Sequence, residues 1–123
     1  MALVLVIDDE PMVRQTIRLV LERHGHQVVE AENGIVGLKK YDEAAFDLVI
    51  TDILMPEKEG IGTIQDLRAR NSAVKILAIS GGGRVENLDY LTMAGQLGAD
   101  DALPKPFEPR QLLEKVAGLC GSK

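Results

Sequence analysis

Cysteine is almost missing from this chain. Cys120 stands alone, so no internal disulfide can form, and the usage fits a reducing compartment; the expected location is cytoplasmic. Aromatic side chains are equally scarce. With no tryptophan, two tyrosines and two phenylalanines, a core has to be assembled from Leu, Ile, Val and Ala. Positive charge is in deficit: 14 Lys and Arg against 19 Asp and Glu leave a net charge of −5, which argues against direct binding of nucleic acid or an anionic membrane. No apolar run approaches membrane-spanning length, and no basic region precedes the N-terminal apolar stretch. The glycine triplet Gly81–Gly83 lacks the Lys-Ser/Thr of a phosphate loop and the glycine spacing of a dinucleotide fingerprint. His24 and His26 have no acidic partners in helical register and read as turn and surface residues.

What is present is a regular alternation. The 123 residues suffice for one domain with a real core, and no linker, repeat or low-complexity segment divides them. "LVLVI" (Leu3–Ile7) is continuous and branched, as in a strand buried on both faces. Pro11 suits the first turn of a helix, Val13, Ile17, Val20, Leu21 and His24 follow helical spacing, and Gly25 is a natural stop. Further strands are expected at Gln27–Ala31, Phe46–Ile53, Val74–Ser80 and, briefly, within Asp101–Phe107. Helices are expected near Ile35–Tyr41, Gly60–Arg70 with Ile61, Ile64 and Leu67 inward, Val85–Leu97, and Glu108–Leu119 with Leu112, Leu113 and Val116 inward. Five strand–helix units with short connections predict an α/β fold, a parallel sheet covered by helices on both faces. The ordered core is expected over about 3–119, as a single domain over 1–123 with no output domain.

The unusual polar residues then fall in one place. Asp8 and Asp9 follow strand one, Asp52 ends strand three, Ser80 ends strand four and Lys105 follows strand five. In a parallel sheet the strand C-termini share one edge, where ligands bind beside the reversal of strand order. Three carboxylates there require a cation. A hard divalent ion with oxygen ligands answers the need, and Mg2+ suits an incomplete cage that leaves room for water and a phosphate oxygen. Lys105 adds a second positive charge and Ser80 a donor, making a pocket for a tetrahedral dianion, with one carboxylate left as nucleophile for an aspartyl-phosphate.

At this point the motifs "VIDDEP", "DLVITDILMP", "AIS" and "GADDALPKPF", each at a strand end and in this order, resemble the receiver domain of two-component response regulators over essentially the whole chain. The resemblance implies a flavodoxin-like, doubly wound sheet of order 2-1-3-4-5 with five flanking helices. It implies that Asp52 is the phosphoacceptor, that Asp9 ligates Mg2+ directly with Asp8 helping through water, and that the Leu54 carbonyl completes the protein ligands. Lys105 would pair with phosphoryl oxygens, Ser80 would hydrogen-bond the phosphoryl group, Gly81 would leave access to it, and Lys105-Pro106 would be cis. The implied donor is a phosphohistidine on a histidine kinase or a histidine phosphotransfer protein. The implied activity is self-phosphorylation and slow self-dephosphorylation, not that of a metabolic enzyme. The downstream protein would meet the fourth helix, fifth strand and fifth helix, with Tyr90, Glu108 and Arg110 as candidates.

Two features depart from the family pattern. Ala102 stands where the family usually has Tyr or Phe, and the stretch from Ser80 to Lys105 is longer than usual, with Gly81–Gly83 at its start. We expect that glycine loop and the following helix to take over the switching. Leu54 and Gly82 offer no side chain to position an attacking water, which implies a long-lived phosphorylated state. Simpler readings stand beside these: Asp8 and Asp9 capping the helix at Pro11, Asp52 as a turn residue, Ser80 as a strand-end hydroxyl, Lys105 as a solvated charge, and Asp101 as a strand-edge residue. Two rival functions remain: a phosphorylation-independent binding module, and a Mg2+-dependent phosphohydrolase. The latter lacks a second acid at Leu54 to protonate a leaving group.

Overall fold

The computed structural model describes residues 2–52, 59–71, 73–80, 95 and 98–120, apart from the side chains of 59–61 and 80. Five strands, β1 (Leu3–Ile7), β2 (Gln27–Ala31), β3 (Leu48–Asp52), β4 (Lys75–Ser80) and β5 (Asp101–Pro104), form one parallel sheet in the order β2-β1-β3-β4-β5. Four helices stand among the described residues against five expected: α1 (Pro11–Arg23), α2 (Gly34–Tyr41), α3 (Glu59–Arg70) and α4 (Pro109–Cys120). The remaining helix, expected at Val85–Leu97, lies outside the described residues except for Gly95, which is helical. None of the described helices is long and apolar enough to cross a membrane.

The two-residue period of the strands divides the core into two layers. Leu5, Ile7, Val49, Ile76 and Ala78 point to one face, where Ile64 and Leu67 of α3 and the partly buried Val36 and Leu38 of α2 cover them. Val4, Val6, Leu48, Ile50, Leu77 and Ile79 point to the other, against Ile17 and Leu21 of α1 and Leu112 and Val116 of α4. Burial on both faces is why strands one, three and four read as near-continuous apolar runs. The scarcity of aromatics is met by aliphatics throughout, with Tyr41 and Phe46 stacked at a centroid separation of 6.0 Å as the aromatic pair.

Local features follow the physics closely. Pro11 opens α1, and Gly25 adopts φ 89° just beyond it, a conformation that favours glycine. Asn33 caps α2 by accepting a hydrogen bond from the Val36 amide at 2.8 Å. Gly37 lets α2 approach the sheet: a Cβ there would sit 2.5 Å from Cδ1 and 2.8 Å from Cγ1 of Ile7.

The two histidines divide. His24 is exposed and ends α1, its Nδ1 3.1 Å from the Val20 carbonyl, in keeping with a surface residue. His26 is only half-buried but has a structural task, its Nδ1 accepting a hydrogen bond from the Ala2 amide at 3.1 Å. The alternative reading of Asp8 or Asp9 as the helix cap is not met. Glu10 occupies the cap position, without a side-chain cap bond.

Candidate functional site

The sheet brings all five strand ends to one rim. Register pairs Ile7 with Ala31 and Thr51, Asp52 with Ile79, and Ser80 with Pro104, so the C-terminal ends of all five strands lie side by side. The Asp8 amide donates to the Ala31 carbonyl at 3.1 Å, extending the β1–β2 ladder one residue and holding the acid run at the strand's end.

Asp8 is fully buried and Asp52 nearly so, while Asp9 is exposed. Oxygens of these three carboxylates lie within 4.8 Å of one another, a group able to hold a metal ion. The Lys105 ammonium reaches into the group, with Nζ 2.8 Å from Asp8 Oδ2, 2.9 Å from Asp52 Oδ2 and 3.2 Å from Glu10 Oε1. Asp8 Oδ1 accepts from the Glu10 amide at 2.8 Å. Asp8 Oδ2, fully buried, has its charge met by the Lys105 ammonium at 2.8 Å. Three carboxylates gathered around one ammonium leave negative charge that a second cation can balance.

The electrostatics carry the same tension. Burial pushes the Asp8 carboxyl above the ordinary aspartate value, and nearby Asp52 adds to this, against the lowering influence of Lys105 and the Glu10 amide. For Lys105, burial alone works to lower the pKa. Hydrogen bonds to Asp8 and Asp52, with their charges, outweigh it and hold the ammonium firmly protonated. The site therefore contains a fixed cation and carboxylates in excess of it. A divalent ion fits this donor set of hard oxygens, and the family implies Mg2+.

Lys105 itself is held by the chain around it. It follows Pro104 at the end of β5, and the Lys105-Pro106 peptide is cis, as expected. Asp101 lies outside the acid group, its Oδ1 3.0 Å from Lys115 Nζ, in keeping with a strand-edge role. Ser80 ends β4 on the rim. The side chain of Ser80, together with Leu54, Gly81, Gly82, Gly83 and Tyr90, lies outside the described residues. Beside Lys105 opens a groove of about 420 Å³ lined by Glu10, Met12, Val13 and Thr16 of the α1 entry and by Pro106 and Phe107.

These features meet the comparisons with known proteins. The family model of the response regulator receiver domain matches residues 4–117. The chain belongs to the response regulator receiver domain family. It is 35% identical over 114 residues to the chemotaxis protein CheY of Bacillus subtilis, covering 92% of each chain. It is 34% identical over 116 residues to the transcriptional regulatory protein ResD of the same organism, covering 94% of this chain and 47% of ResD. The chain thus spans about half the length of ResD. Among solved structures, a receiver domain protein from Clostridium thermocellum superposes with a TM-score of 0.87 at 29% identity, covering 98% of this chain and 95% of that one. A receiver's sheet order, 2-1-3-4-5, is the one found here.

Two receiver residues escaped the sequence reading. Glu10 was visible as the third acid of "DDE", but nothing in the pattern separated it from the helix start. Arg14 donates from Nη1 to the Asp8 carbonyl at 2.7 Å and from Nε to Glu30 Oε1 at 3.0 Å, bracing the acid run against β2. Its position one turn into α1 gave no sign of that reach.

Proposed function

We propose that this receiver accepts a phosphoryl group on Asp52 from a phosphohistidine of a histidine kinase or histidine phosphotransfer protein. The observation that carries the reading is Lys105 Nζ bridging Asp8 and Asp52 at 2.8 and 2.9 Å, beside an acid group fit for a divalent ion. A carboxylate oxygen of Asp52 forms the new P–O bond while the bond from phosphorus to the imidazole nitrogen breaks, its electron pair leaving with the imidazole. Lys105 neutralises charge on the phosphoryl oxygens. Asp8, Asp9 and Asp52, with the Leu54 carbonyl, would hold Mg2+, which when bound offsets the negative charge of carboxylates and phosphoryl group alike. Ser80 would donate to the phosphoryl group and Gly81 would leave room for it.

The chain so read is a phosphoacceptor switch, one receiver domain over 1–123, and not a turnover enzyme. Its downstream partner would be a protein meeting β5 and α4 with the intervening-helix segment. Exposed Glu108 and Arg110 support that face, and the net charge of −5 argues against nucleic acid or an anionic membrane as the partner. A cytoplasmic location follows from such a donor.

The test is intact mass after incubation with Mg2+ and acetyl phosphate. One added phosphoryl group, absent in Asp52→Ala and with excess EDTA and lost on hydroxylamine treatment, is the expected result. No adduct, together with no response of the site to beryllofluoride by NMR, would reject the reading in favour of a phosphorylation-independent binding module.

A further inference from the structure

Lys105 has three carboxylate neighbours, and the third is not one of the metal-fit group. Glu10 Oε1 lies 3.2 Å from Lys105 Nζ, whereas the oxygens within 4.8 Å of one another belong to Asp8, Asp9 and Asp52. Glu10 thus meets the ammonium from outside the trio. Its side chain is 60% exposed, while that of Lys105 is 10% exposed. Glu10 also lines the groove that opens beside Lys105.

We infer that Glu10 is a positioning residue that holds Lys105 in the unphosphorylated state and has to release it to the incoming phosphoryl oxygens, so that it acts as a brake on phosphorylation. This rests on the phosphoacceptor reading above. Three observations support the exchange. The Glu10 side chain makes no helix-cap bond, so giving up Lys105 costs α1 no cap. It sits at the N-terminal end of α1, where the helix dipole favours a carboxylate that has lost its partner. And it is exposed enough for water to take over its solvation. Asp8 and Asp52, by contrast, are buried against the ammonium and have no such alternative.

The experiment compares initial rates of phosphorylation by acetyl phosphate with Mg2+, followed by intact mass, for the wild type, Glu10→Gln and Glu32→Gln. Glu10→Gln keeps the side chain's length and removes its charge. Glu32 is an exposed acid just past β2, near the same rim, and serves as the control for general charge removal. An exposed ion pair sets the size of the effect: Glu10→Gln is expected to react about two- to fivefold faster, with an unchanged thermal melt, while Glu32→Gln keeps the wild-type rate. A phosphorylated wild type with Glu10→Gln no faster rejects the brake and leaves the phosphoacceptor reading intact. Equal acceleration by both variants also rejects it, assigning the effect to net charge. A folded wild type that takes no phosphoryl group and does not respond to beryllofluoride overturns the phosphoacceptor reading, and the brake with it.

Discussion

Lys105→Met puts the electrostatics of the rim to a direct test. The substitution keeps an unbranched side chain of similar bulk and removes the charge that bridges Asp8 and Asp52 at 2.8 and 2.9 Å. Both acids are then left almost wholly out of water, at 0% and 5% side-chain exposure. Removing one partner of a buried ion pair costs about 3–5 kcal/mol. Lys105 is itself 10% exposed at a rim that water reaches, which places the expected loss near the lower figure, about 3 kcal/mol. In a domain of this size that is a fall in Tm of roughly 10 °C without metal.

A divalent ion should reverse most of it. A ligand at one hundred times its Kd stabilises by about 2.7 kcal/mol. In the wild type a bound metal would share its carboxylates with Lys105; in the variant it would not. The Mg2+-induced rise in Tm should therefore be larger for Lys105→Met than for the wild type. The pH dependence has a definite sign as well. Burial raises the Asp8 pKa above its unfolded value, so the folded state binds more protons, and this group's contribution to stability falls as pH rises through the raised folded pKa. Loss of Lys105 should steepen that fall and Asp8→Asn should abolish it. Thermal melts of the three proteins across pH, with Mg2+ and with EDTA, decide the matter. A Lys105→Met protein melting within about 3 °C of wild type in EDTA, against the roughly 10 °C estimated from ion-pair loss, or Mg2+ shifts equal in both proteins, would refute the reasoning.

Three further outcomes are expected. Gly37→Ala should destabilise by up to about 2 kcal/mol in urea, because the clash with buried Ile7 outweighs the helix propensity gained, whereas Gly118→Ala, with nothing within 4 Å, should stabilise by up to about 1 kcal/mol. His26 should make the fold less stable in acid: burial, helped by neighbouring positive charge, lowers its pKa, so stability complete above the unfolded value of about 6.5 is lost as pH falls towards the folded one, and His26→Asn should flatten that part of the urea-midpoint profile. Arg68 donates from Nε to the Gly98 carbonyl at 2.8 Å, from Nη2 to Asp100 Oδ2 at 2.7 Å and from Nη1 to the Val74 carbonyl, so Arg68→Ala should cost about 2 kcal/mol by chemical denaturation and Arg68→Lys should recover only part of it.

The sequence made the sheet legible because burial on both faces leaves little choice of residue. Leu3–Ile7 and Lys75–Ser80 advertise themselves as strands through their branched aliphatics. Asp8, Asp52 and Lys105 were legible for a related reason: each breaks an apolar run at the strand end, and parallel topology then gathers them. His24 falls on the helical period yet is exposed, as its reading as a surface residue has it, since period fixes a direction and not the end of the helix. Contacts of long, flexible side chains were not legible at all. Glu10 reaches Lys105 across 95 positions, and Arg68 reaches Gly98 and Asp100 across 30 and 32. No local pattern specifies such pairs, because only the tertiary fold sets their distances.

Ala102 shows how far the structure narrows the question of output. It is 3% exposed and pairs in register with Ala78 of β4, so two methyl groups stand where the family commonly has an aromatic ring on one side. Alanine has no side-chain torsion that moves a heavy atom, so no rotamer change at this position can carry a signal. What does connect the rim to β5 and α4 is covalent and electrostatic: Lys105 follows β5 directly, and its ammonium is divided among Asp8, Asp52 and Glu10. A phosphoryl group on Asp52 would redistribute those three contacts, and the pull would fall on the segment between Pro104 and Pro109 that sets the start of α4. A change of ion-pair partner at Lys105 would therefore act on the segment that leads into α4 with no aromatic ring needed at position 102.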